Sequence, residues 1–120
     1  MTTRVVLLFF TFAGLACGRA PSPEARARDV GSWLGASGGV VTSWVGGSIS
    51  SAAAESNLES TARTIGDVSR EGLPGPLAER LGDAARAVER AREAVRAGDK
   101  AAATASAEEM ARVSRQLSEG

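Results

Sequence analysis

The sequence predicts an all-α protein whose folded part is a small antiparallel bundle of three helices. Two apolar patterns with three-four spacing lie on either side of a short turn, and a third such pattern precedes them. Glycine and proline follow the patterns where helices are expected to end. A fourth helix joins the bundle if residues 23–36 are helical, with Ser22 as N-cap and Pro23 in the first turn.

The first predicted helix of the bundle runs from about Ser50 to the glycine at position 72. Its apolar face consists of Ala54, Leu58, Thr61, Ile65 and Val68. On its other side, Glu59 precedes Arg63 by four residues, the order that favours an ion pair on a helix surface. Gly72 suits the end of this helix, and Pro74 stops any continuation.

Two further helices are predicted on either side of the tetrapeptide AGDK at residues 97–100. The apolar positions of the first are Leu77, Leu81, Ala84, Val88, Ala91 and Val95. Those of the second are Ala103, Ser106, Met110, Val113 and Leu117. Gly98 suits the end of one helix and Asp99 the N-cap of the next, so the pair is expected to form an antiparallel hairpin. The preceding helix is the natural third member; otherwise the exposed apolar face awaits a partner or a second copy of the chain.

Residues 30–54 form a stretch without a single charged side chain, and glycine and serine are abundant in it. Each glycine costs a helix about 0.8–1 kcal/mol relative to alanine. We therefore expect a break between helices at ASGGVV, residues 36–41, or a flexible linker. The length would suit a membrane span, but the glycines and serines dilute the apolar residues too far for a lone helix to insert readily.

The spacing of the small residues supports a second interpretation of the same segment. Small side chains recur every four residues at Gly31, Gly35, Gly39, Ser43 and Gly47. On a helix such a ridge has no bulk, so another helix backbone can pack closely against it. Trp33 and Trp44, eleven residues apart, would then share a helix face. The pattern Gly31-xxx-Gly35-xxx-Gly39 resembles the glycine zippers of some bacterial envelope lipoproteins, which implies self-assembly in or on a membrane.

The N-terminal end has the layout of a secretory signal peptide. Arg4 and the amino terminus supply positive charge, and residues 5–16 are an uncharged, mostly apolar run of twelve. That run is too short to span a bilayer comfortably. The chain's only cysteine, Cys17, follows it directly within the sequence AGLAC at residues 13–17. A single cysteine has no partner for an internal disulfide.

AGLAC resembles the lipobox of bacterial lipoproteins, although Gly14 stands where that family prefers leucine. The resemblance implies that Cys17 carries a thioether-linked diacylglycerol and becomes the acylated first residue of the mature chain, with Ala16 as the small residue before the cleavage site. Gly18 resembles the residue that follows the cysteine in outer-membrane lipoproteins, so the chain is placed on the periplasmic face of the outer membrane if the cell has two membranes. The alternative is ordinary secretion without lipid, into the periplasm or medium.

Composition excludes several classes of function. The chain has 14 basic and 14 acidic side chains, so it lacks the basic excess expected of a nucleic-acid-binding protein. It has no histidine, and no nucleophile elbow or phosphate-binding loop is recognisable. We therefore expect no enzyme activity, no metal, no cofactor and no small-molecule substrate. A protein partner or homo-oligomer is expected instead.

These observations divide the chain into four parts. They are a signal peptide at residues 1–16, the lipidated cysteine and a flexible tether at 17–29, a Gly/Ser/Trp-rich uncharged segment at 30–49, and the helical bundle at 50–120. The expected protein is a lipid-anchored component of the bacterial envelope with a binding or scaffolding role. The alternatives are a membrane-associating, self-assembling protein that uses residues 30–54, and a secreted soluble helical protein. No family is recognised for the helical part.

Overall fold

The structure, a computed structural model, describes residues 22–119, and four helices lie in this part of the chain. They are α1 (Pro23–Val45), α2 (Ser51–Ser69), α3 (Gly75–Ala97) and α4 (Lys100–Glu119). Consecutive helices pack side by side and run in opposite directions, and α4 closes the bundle against α1. The predicted all-α antiparallel bundle is confirmed, with four helices.

The additional helix, α1, begins at Pro23, as the four-helix alternative predicts, but it continues beyond residue 36, where that alternative ends it. Ser22 caps it, because its Oγ accepts a hydrogen bond from the backbone N–H of Ala25 at 3.1 Å. The helix then continues without interruption to Val45, through the ASGGVV stretch where a break or a flexible linker is expected from the sequence. Residues 23–45 are therefore part of the bundle and not a tether followed by a separate segment.

Tertiary packing explains why α1 stays helical despite its four glycines. Val30, Leu34 and Val41 are fully buried in the core. Burying an aliphatic side chain of this kind contributes about 1.5–3 kcal/mol, which exceeds the cost of about 0.8–1 kcal/mol for each helical glycine. Helix propensity alone therefore underestimates the stability of α1 in the folded protein.

The ends of the other helices follow their local sequence signals. Gly72, in the turn after α2, has a φ of +73°, and Gly98, which caps α3, has a φ of +67°. Both angles lie in the left-handed region that favours glycine. The side chain of Asp99 accepts a hydrogen bond from the backbone N–H of Ala102 at 3.0 Å, so Asp99 caps the start of α4 as predicted.

The core lies along the common axis of the four helices. Every predicted position of the three stripes on α2, α3 and α4 is buried. α1 adds a fourth stripe, formed by Ala27, Val30, Leu34, Val41 and Trp44. Many core positions are alanine, so the helices approach one another closely at those levels.

Candidate functional site

The helix α1 carries the two features that set it apart from the rest of the bundle: a glycine-lined contact with α4 and an exposed face without charges. The contact is closest at Gly31. A Cβ atom at this position would lie 3.1 Å from the backbone oxygen of Ser114 and 3.3 Å from the Cβ of Leu117. The hydroxyl of Ser114 also donates a hydrogen bond to the carbonyl oxygen of Gly31 at 2.6 Å. Gly31 is thus a helix-packing residue, and the helix it packs against is α4 of the same chain.

The remaining members of the predicted ridge are placed differently from one another. A Cβ at Gly35 would lie 3.2 Å from the Oγ of Ser114, so this position also belongs to the contact. A Cβ at Gly39 would meet nothing within 4 Å. Ser43 is half-buried, and Gly47 lies beyond the end of α1 with a φ of +81°. Of the predicted ridge, only Gly31 and Gly35 therefore belong to the close contact with α4.

Helix geometry explains why the four-residue ridge does not persist. Each step of four residues turns about 40° around an α-helix with 3.6 residues per turn. Gly39 is two such steps from Gly31 and has rotated away from α4. Gly38 takes its place: it is buried, and a Cβ there would lie 3.5 Å from the backbone oxygen of Ala107. The series 31, 35, 38 follows three-four spacing, and that spacing was the signal that could have identified Gly38.

Alongside this contact, an open groove of about 380 Å³ lies between α1 and α4. Small residues of both helices line it, among them Gly39, Ala107 and Ala111. The carboxylate-bearing residue Glu108 lies on the α4 side of the groove. The groove is shallow and mostly apolar, and it borders the outer surface of α1.

The two tryptophans of α1 have opposite environments. Trp44 is 7% exposed, and its indole N–H donates to the hydroxyl of Ser51 at 3.0 Å. Trp33 is 45% exposed, the only large hydrophobic side chain so exposed within residues 22–119. The two lie in nearly the same direction around α1, as eleven-residue spacing predicts. Ser51, the first residue of α2, packs beside Trp44 at the end of α1. Trp33 lies eleven residues earlier in α1, so Ser51 does not cover it.

The solvent-facing side of α1 carries no charge after Asp29. We call the following exposed positions the uncharged face: Ser32, Trp33, Gly35, Ala36, Gly39 and Thr42. Trp33, Ser32 and Ala36 line a shallow depression of about 310 Å³ in it. Packing in the bundle explains why α1 is helical, but it does not explain why positions that point to solvent lack charges.

A second groove, of about 430 Å³, lies between α3 and α4 near the turn that joins them. Alanines form much of its lining, and the pair Arg90–Glu109 borders it with an N–O distance of 2.6 Å. Both charged groups are at the surface and satisfied by each other. Glu93 and Asp99 also line the groove, which therefore has an alanine-rich floor bordered by charged side chains.

Several ionisable groups of the described bundle form ion pairs at its surface. The guanidinium of Arg26 donates to the carboxylate of Glu71 at 2.6 Å, joining the start of α1 to the turn after α2. This hydrogen bond holds the pKa of Glu71 below its ordinary value and raises the pKa of Arg26. Among residues 22–119, no three His, Cys, Asp or Glu side chains converge in a way that could hold a metal ion.

The predicted lipidation site, Cys17, lies outside the described residues. Between residues 22 and 119, no helix combines the length and the apolar character needed to cross a membrane. No protein-family model matches the chain, and neither a curated protein nor a solved structure shows significant similarity to it.

Proposed function

We propose that this chain is a lipid-anchored protein of the bacterial cell envelope, in which a four-helix bundle acts by non-catalytic binding or scaffolding. One observation carries the proposal. The only cysteine lies in AGLAC, residues 13–17, directly after a positively flanked apolar run of signal-peptide length. A lone cysteine has no partner for an internal disulfide. The resemblance of AGLAC to a lipobox instead implies that Cys17 is lipidated.

Acylation would anchor the bundle firmly. Each buried methylene contributes about 0.8 kcal/mol, so a single chain binds marginally, whereas two or more hold a protein stably on a membrane. The Ser22 N-cap lies five residues after Cys17. The bundle is thereby held near the membrane surface while remaining outside it.

In a cell with two membranes, we place the anchor in the periplasmic face of the outer membrane, because Gly18 follows the cysteine. The unlipidated alternative leaves the same bundle free in the periplasm or medium.

The binding role follows from what the bundle presents to its surroundings. Gly31 is buried against α4, so in this fold it is not free to bring separate chains together, whereas Gly35 is exposed beside the same contact. The groove between α3 and α4 is a surface open to a protein partner or a second copy of the chain.

The test replaces the proposed acylation site. We expect Cys17→Ser to abolish incorporation of labelled fatty acid and to change the mobility of the protein on a gel. Intact mass spectrometry of the wild-type protein from native membranes should show cleavage before Cys17 and the mass of its acyl chains. Ala20→Ser, three residues away, is the matched control and should retain label, size and membrane association.

Two results would contradict the proposal. One is equal fatty-acid labelling of the wild-type and Cys17→Ser proteins. The other is a mature wild-type chain, recovered from membranes, in which the Cys17 thiol is unmodified.

A further inference from the structure

We propose that the uncharged face of α1 lies against the lipid headgroups of the membrane that holds the anchor. This inference rests on the proposed lipid anchor and adds the orientation of the bundle. Its occupant is the bilayer surface itself. The argument uses the length of chain before α1, the distribution of charge over the bundle and the exposure of Trp33.

The chain before α1 is short enough to restrict the bundle. Ser22 is the fifth residue after Cys17, and a fully extended chain of five residues reaches at most about 18 Å. α1 itself, with 23 residues, is about 34 Å long. The anchor therefore attaches at the start of α1 and holds that end of the helix within about 18 Å of the bilayer.

Charge distribution then selects the side that faces the lipid. The exposed side of α3 carries Glu79, Arg86, Glu89, Arg90, Glu93 and Arg96. Pressing such a surface against a bilayer would remove water from charged groups, which is costly. The uncharged face of α1 has no charged side chain from Ser32 to Thr42, and the exposed Arg28 and Asp29 lie at its edge, one turn earlier. Its approach to the bilayer therefore removes water from fewer charged groups than the approach of α3.

Trp33 gives this face a group suited to the membrane surface. Its ring is apolar and its indole N–H is polar, the combination that concentrates tryptophan at the level of the headgroups. Its exposure of 45% leaves it accessible from outside the bundle. The neighbouring positions, Ser32 and Ala36, are small and allow the indole to reach a flat surface.

One exposed tryptophan alone binds a membrane weakly. In a protein that is already anchored to the membrane, the same weak contact is enough to orient the bundle. Tethering converts the second contact into an intramolecular one with a high effective concentration. The contact is therefore expected in the acylated chain on its own membrane, and not when the unacylated chain is mixed with vesicles.

The experiment uses the full mature protein, extracted from membranes with its acyl chains verified by mass spectrometry. It is reconstituted into phosphatidylethanolamine–phosphatidylglycerol vesicles that contain lipids brominated near the headgroup. In the Trp44→Phe variant Trp33 is the only fluorophore, and we expect brominated lipid to quench it and acrylamide to lose access to it. Trp33→Phe is the matched control, because the remaining Trp44 is 7% exposed and should respond to neither.

A second pair of variants tests the face itself. Ala36→Glu places a carboxylate beside Trp33 at an exposed position, and Ala85→Glu places one at an exposed position of α3. We expect the first to remove most of the quenching by brominated lipid and the second to leave it unchanged. Circular dichroism spectra identical to that of the parent establish that each variant is folded.

Each other outcome overturns the inference at a distinct point. Acylated protein whose Trp33 is open to acrylamide and unquenched by lipid refutes the orientation while leaving the anchor intact. Trp33 shielded from acrylamide but unquenched by lipid means that a protein, such as a second copy of the chain, covers the face. A mature chain without acyl groups refutes the anchor and the orientation with it.

Discussion

Three polar side chains are buried in the described bundle, and two of them meet between α1 and α2. The hydroxyls of Ser37 and Thr61 are 2.6 Å apart, and Ser37 also donates to the Oδ1 of Asn57 at 2.9 Å. The third, Ser106, donates to the carbonyl oxygen of Ala102 in its own helix. A buried polar group left unpaired costs about 1–3 kcal/mol. Because each of these hydroxyls has a hydrogen-bond partner, the core accommodates them without that penalty.

At the same scale, the pair Arg26–Glu71 predicts a pH dependence of stability. The pKa of Glu71 is lowered in the folded protein, so the folded state binds this proton more weakly than the unfolded state does. The pair therefore stabilises the bundle above the unfolded pKa of Glu71, and its contribution is lost as pH falls through the folded pKa. We expect Glu71→Gln to lower the melting temperature at neutral pH, with the difference vanishing in acid.

The measurement is thermal unfolding followed by circular dichroism at neutral and acid pH. Glu79→Gln, at an exposed position of α3, controls for the loss of one negative charge. A difference between wild type and Glu71→Gln that is the same at both pH values would show that the effect does not come from this ion pair.

At the scale of the element, α1 shows how a helix with four glycines is maintained by its neighbours. The side of α1 that faces α4 has room only for small residues, whereas the side that faces open space has room for larger ones. Gly31 must lack a side chain because the backbone of α4 is in the way, whereas Gly39 faces open space. The same residue type is therefore needed for packing at one position and only weakens the helix at the other.

Identical substitutions at these two positions should have opposite effects. Gly31→Leu forces a bulky side chain into the α1–α4 contact, and overpacking of this kind costs about 1–3 kcal/mol. Gly39→Leu replaces a poor helix former by a good one without a clash, which should stabilise the bundle by up to about 1 kcal/mol. Chemical denaturation followed by circular dichroism measures both.

If both leucines stabilise the bundle, α1 does not approach α4 at Gly31 as described. If both destabilise it, Gly39 does not face open space.

At the scale of the whole molecule, the folding unit should begin at Ser22. α1 packs along α4 and α2 and supplies buried Val30, Leu34 and Val41. Residues 50–120, which contain the three helices with the clearest sequence patterns, lack these side chains. Their apolar stripes would face water on the side that α1 covers.

We therefore expect residues 22–120 to unfold in one cooperative transition and residues 50–120 to lose that transition. Both fragments can be compared by circular dichroism and by the dispersion of their amide signals in NMR spectra. Equal cooperativity of the two fragments would show that α1 is dispensable for the fold. The longer fragment is also the suitable background for the stability measurements on Glu71, Gly31 and Gly39.

The sequence by itself determined the three C-terminal helices, their boundaries and their buried stripes. Their apolar residues recur at helical spacing, and Gly72, Gly98 and Asp99 act through local backbone chemistry that needs no tertiary contact. The signal peptide and the lipidation of Cys17 in AGLAC stay predictions, because these residues lie outside the part of the chain that the structure describes.

Only the tertiary structure decided the state of α1. Helix propensity disfavours a glycine-rich helix. Burial against α2 and α4 outweighs this propensity, and the extent of that burial depends on the neighbouring helices and cannot be read from the sequence of α1 alone. The fold also determined which glycines of α1 pack against α4. Residues spaced every four positions turn gradually around the helix, so Gly39 no longer faces α4. It separated Trp33 from Trp44, because only contacts between helices distinguish two residues that point in nearly the same direction along one helix.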